Sequence, residues 1–153
     1  MSPRRVKRPS DKEDVFKELT DGDFKVFNTM KDLFVFAACV GHNDGIRLPF
    51  DKVAGEIPWS VFHGETDEPI IDSIALIETD DLAILLKEDD KFDQKLEIIE
   101  EYANQGLALI RQKLMEAPGD PLENLVAMIM ENEDYEIPNG KISNFIDSLI
   151  DNI

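Results

Sequence analysis

The densest apolar stretch of the chain lies just past its first quarter. From Met30, apolar residues at 33, 34, 36, 37, 38 and 40 leave little polar face, which predicts a nearly fully buried central helix over 30–41. Asn28 or Thr29 offers its N-cap. Gly41 is the expected residue after the last turn, because glycine takes the left-handed conformation without Cβ strain. Upstream, SDKE at 10–13 matches a capping box, so a short helix should run to Leu19 before TDGD breaks it. Downstream, Phe92, Leu96, Ile99, Ala103, Leu107, Ile110 and Leu114 recur at three- and four-residue steps and predict a long helix over 91–115. Gly106 inside it costs about 1 kcal/mol against alanine. Close approach of another helix beside Ala103 is its simplest justification.

The remaining apolar runs are shorter. IIDSIALIE (70–78) and TDDLAILLK (79–87) each read as a short helix, with a strand as the alternative because so short an apolar run carries little periodicity. Asp120 followed by Pro121 is an N-cap with proline at the first helical position, opening a stripe of Leu122, Leu125, Val126, Ile129 and Met130. EIPNG is a turn, and 141–153 an amphipathic helix. Between residues 46 and 69, Pro49, Pro58 and Pro69 prevent any long helix. That connector is nevertheless rich in apolar residues and should pack over the core, with Trp59 as an anchor in one helical turn at PWSVF. With no convincing strand ladder, the expected fold is all-α: a compact bundle of about six or seven helices.

Charge divides the chain. Arg4, Arg5, Lys7 and Arg8 make the first ten residues +4, whereas the other 143 carry 12 bases and 33 acids, or −21. The expected organisation is a basic, flexible arm at 1–9, removable without loss of the fold, and one helical domain over 10–153. The arm could touch DNA or dock on an acidic surface, the protein's own included. The acidic body should be repelled by phosphate backbones. No apolar run approaches the roughly 18–20 residues of a membrane span. No apolar segment follows the N-terminal cations as in a secretory signal, so the chain reads as cytoplasmic and soluble. A lone Cys39 excludes an internal disulfide and cysteine-cluster zinc sites. Set in an apolar run, it reads as a small core residue.

Catalytic motifs are absent. No calcium loop aligns on Gly45 or Gly140, and neither a phosphate-binding glycine loop nor a HExxH zinc motif occurs. Ser60, three residues before His63, is poor evidence for a triad. Acid clusters such as ETDD and KEDD could hold Mg²⁺ or Mn²⁺, but follow helix-cap and solvated-face logic equally well. One polar cluster stands out: His42 and Asp44, in GHNDG, with distant His63, as an acid/base or metal site. The alternative is that GHNDG is only how a buried helix stops. No catalytic residue, metal or cofactor is assigned.

The succession RRVKRP, TMKDLFVFAACVG, EIPWSVF, IALIETDDLAIL, IIEEYANQGLALI and DPLENLVAMI resembles the bacterial DNA phosphorothioation (Dnd) system-associated protein 4 family, from about Arg4 to Met130. The resemblance implies a role in defence against foreign DNA, beside genes that replace a phosphate oxygen of DNA with sulfur. It does not imply sulfur chemistry. The leading expectation is a non-enzymatic accessory protein that docks on protein components of the same system, and reaches DNA only indirectly or through its arm. Arg4, Arg5, Lys7, Arg8 and Arg47 are the candidate nucleic-acid or partner contacts. The alternatives are an acidic DNA mimic regulating a DNA-handling partner, and a small metal-dependent hydrolase subunit using His42, Asp44 and His63.

Overall fold

The computed structural model describes residues 4–133. The expected turn at EIPNG and helix at 141–153 lie outside the described residues. Among the described residues five α-helices run in chain order: α1 (Glu13–Asp21), α2 (Met30–Asp44), α3 (Asp67–Thr79), α4 (Asp89–Ile110) and α5 (Pro121–Glu133). Short 3-10 turns occur at Ser10–Lys12, Trp59–Val61 and Leu82–Leu85. Two strands, β1 (Val6–Pro9) and β2 (Val53–Ile57), pair antiparallel with Val6 opposite Ile57. The fold is therefore mostly helical, as expected, but not an all-α bundle of six or seven helices: a two-stranded sheet is added.

The largest interface joins α2 to α4. Its closeness rests on two glycines facing opposite ways. A Cβ on Gly106 would sit 1.8 Å from the Ala37 carbonyl oxygen, and one on Gly41 would sit 1.8 Å from that of Tyr102. Ala37, Ala38 and Ala103, all buried, keep the seam narrow on either side. The close approach expected at Gly106 is thus present. The role expected of Gly41 is not: α2 continues a further turn, and Gly45, at φ 77°, ends it. Thr29 caps the start, its hydroxyl accepting from the Asp32 N–H at 3.1 Å.

Apolar side chains from every layer close the core. Val15, Phe16 and Leu19 enter from α1, Leu33 and Phe34 from α2, Ile71 and Ile74 from α3, and Leu96, Ile99 and Leu107 from α4. Trp59 is half-buried, stacked on Phe62 (5.0 Å between centroids) and edge-on to Phe92 (5.1 Å). The connector is tied down by Asn104, whose side-chain amide donates to the Leu48 carbonyl at 3.0 Å. Three local expectations need correction. Ser10 opens a 3-10 turn without capping by its side chain, and α1 begins at Glu13. Cys39 is exposed, because α2 turns 39 and 43 away from the core and packs only one side on α4. The long helix ends at Ile110 and widens into a π turn over Arg111–Met115, closed by the Glu116 N–H on the Arg111 carbonyl at 2.9 Å.

Candidate functional site

The three residues of the sequence cluster fall in different places. His63 lies beside the start of α2, in a cavity of about 580 Å³ shared with Thr29, Met30, Lys31 and Asp32. His42 lies near the other end of that helix, eleven residues beyond Lys31, or roughly 17 Å at 1.5 Å per residue. It borders a separate, shallow groove of about 510 Å³ between α2 and α3, with Cys39, Ile70, Ser73 and Ile77. Asp44 accepts from Gln105 Nε2 at 2.9 Å. Among the described residues, no group of three or more His, Cys, Asp or Glu side chains is placed to hold a metal ion.

His42 belongs instead to a polar network that sequence reasoning did not find. Its ring stands edge-on to Tyr102, 5.2 Å between centroids, and its Nδ1 is buried with no hydrogen-bond partner among the described residues. The Tyr102 hydroxyl donates to Glu78 Oε2 at 2.5 Å. Arg47 donates from Nη1 to Glu78 Oε1 and from Nε to Glu101 Oε1, both at 2.9 Å. The network joins α3, α4 and the connector. The hydrogen bonds from Tyr102 and Arg47 outweigh partial burial and hold the Glu78 carboxyl below the usual glutamate range. Burial and the same carboxylate push the Tyr102 phenol up to about 12. These hydrogen bonds tie α3, α4 and the connector together as a structural clamp. Arg47 spends its charge inside it.

The basic N-terminal residues are also engaged. Arg4 forks onto Glu100 at 2.8 and 3.2 Å, and the Lys7 backbone N–H donates to the same carboxylate at 2.6 Å. Glu100 lies 3% exposed on α4. Burial raises its carboxyl above the usual range, against the lowering effect of Arg4 and Lys7. Arg8 reaches Glu13 at 2.6 Å, with its guanidinium 5.6 Å from the Phe16 ring centre. Exposed Arg5 lies 3.6 Å from Glu56. Residues expected in a flexible arm thus form an edge of the fold. Sequence reasoning missed this because Val6, fully buried, is a lone apolar residue among cations, and its partner strand begins more than forty residues on. The acidic residue at 100, on the apolar side of a helix, was the available signal.

The family model of DNA sulphur modification system-associated protein 4 matches residues 5–146. The chain belongs to this family. The matched span takes in β1, the α2–α4 seam and the clamp around Tyr102. No curated protein and no solved structure matches the chain. No helix among the described residues is long and apolar enough to cross a membrane.

Proposed function

We infer that the protein is a non-enzymatic accessory component of a DNA phosphorothioation-linked restriction system. It acts by docking on another protein of that system and meets DNA only through that partner. One observation carries the reading within this family: three of the five candidate phosphate contacts are held by carboxylates of the same chain. Arg4 is held by Glu100, Arg8 by Glu13 and Arg47 by Glu78 and Glu101. In a chain of net charge −17, pairing these three arginines internally leaves fewer cations to neutralise phosphates, and counterion release scales with the phosphates neutralised.

The test is a pull-down of each purified protein of the system by the full chain, with and without duplex DNA, beside a titration of the chain alone with duplex DNA. The reading predicts a DNA-independent complex with at least one component. It predicts no submicromolar duplex binding by the isolated chain near physiological salt, about 0.15 M. Tight duplex binding by the chain alone contradicts it.

A further inference from the structure

Between α3 and α4 the chain makes a turn whose burial pattern the fold does not explain. Leu82, Leu85 and Leu86 are exposed, by 74%, 39% and 50%, and Ile77 on the last turn of α3 by 68%. The segment is nevertheless firmly held. Ile84 is buried between α3 and α4, and the Asp81 carboxylate accepts from the Ala83 N–H at 3.0 Å. In a 3-10 turn, residues three apart eclipse one another, so Leu82 and Leu85 share a face. Anchored by one isoleucine, the turn presents its leucines on a fixed base.

The rim of this patch is mostly acidic, with Lys87 the exposed base inside the turn. From residue 80 to 97 the chain carries seven acids against three lysines. Lys95 is buried and bonded to Asp72, and Lys91 approaches Asp81 only at 3.9 Å. Asp89 and Asp90 stand in the first turn of α4, where the helix dipole favours them. That accounts for two acids, and Asp80 takes the left-handed C-cap of α3 at φ 51°, but exposed Glu88 makes no side-chain cap. An apolar centre with a charged rim is how a docking surface is built, and an acidic rim selects its partner by sign.

We propose that the Leu82–Asp90 turn, with Ile77, is the surface by which this protein docks, and that its occupant is a cationic protein segment carrying apolar side chains. The leucines supply the desolvated centre. The acids steer the approach and exclude nucleic acid, which shares their sign. The proposal rests on the docking reading above and adds to it the surface and the chemistry of the partner.

The test is a calorimetric titration of each purified protein of the system with the full chain as wild type, as Leu82→Glu/Leu86→Glu and as Asp89→Lys/Asp90→Lys. A component that binds the wild type should bind the leucine variant about tenfold or more weakly, as expected for central interface residues. Its affinity should fall with added salt, and fall less steeply for the lysine variant. Equal affinity for the leucine variant overturns this surface and leaves the docking reading standing. Failure of every component to bind the wild type removes both. Displacement of DNA from a component that the lysine variant abolishes and the leucine variant leaves intact overturns the proposal in favour of DNA mimicry. A wild-type dimer in sedimentation that the leucine variant dissociates overturns the cationic partner in favour of a second copy. A lowered urea midpoint of the isolated leucine variant also overturns it, because the leucines would then serve the fold.

Discussion

The segment Arg4–Pro9 and the turn Leu82–Asp90 have opposite charge and opposite fates. In the first, a fully buried valine pins a strand to β2, and two arginines find carboxylates on α4 and α1. In the second, three leucines stay in solvent beside exposed acids. Counting charges along the chain makes the N-terminus the reactive end, but the structure pairs Arg4 and Arg8 internally and leaves Arg5 exposed. The contrast teaches that charge available to a partner is what remains after internal pairing, and here the remainder is acidic.

The widest separation between the two regions should come from deleting residues 1–9. That removes β1 and Val6 and strands the Glu100 carboxylate. Breaking a buried ion pair by removing one partner costs about 3–5 kcal/mol, so the urea midpoint should fall sharply. An unchanged midpoint would restore the removable arm. Val6→Ala isolates the apolar part. It should cost about 2 kcal/mol, from two buried carbons at about 0.8 kcal/mol each plus a small cavity. A loss within experimental error would mean that the strand is not held by its valine.

The carboxylates on the two flanks of α4 sharpen the comparison through pH. Glu100 is raised above the ordinary glutamate value of 4.5, so the folded state keeps a proton that the unfolded chain releases. Its effect on stability is therefore lost as pH rises from 4.5 through the folded value. Glu78 is lowered, so its contribution is present above 4.5 and lost as pH falls through its depressed value. Urea stability measured against pH should show Glu100→Gln removing a decline above 4.5 and Glu78→Gln removing a decline below it. The same sign for both would refute this division. The smallest effect belongs to the turn: Leu82→Ser should leave stability within about 0.5 kcal/mol, as for an exposed site. A larger loss would make that leucine a core residue.

Where local physics decides, the chain could be read. The apolar run beginning at Met30, the Thr29 cap and the Asp120–Pro121 start of α5, where the Asp120 carboxylate accepts from the Leu122 N–H at 3.0 Å, all follow from neighbours within a few residues. Gly106 could also be read, because a helix interior tolerates glycine only for a reason. What stayed hidden depends on contacts between distant residues. β1 exists because β2 is there to receive it. Glu100 looks like one acid among many until Arg4 and Lys7 arrive. Cys39 sits in an apolar run yet faces solvent, since composition does not say which side of a helix is covered. His42 and His63 drew attention as rare residues, but a helix holds them apart. The residues that organise that region, Tyr102, Glu78 and Arg47, come from three separate segments with no common spacing.

Hydrogen exchange on the intact chain reads the central claim, that the basic N-terminal residues belong to the fold, with no substitution at all. The Lys7 amide donates to buried Glu100 and its neighbours lie in the β1–β2 pairing. Amides of residues 6–8 should therefore exchange with protection approaching that of mid-α4, opening only with larger parts of the structure. Exchange of these amides at the rate of an unstructured peptide, while α4 stays protected, would contradict the account and return the N-terminal cations to solvent and to DNA.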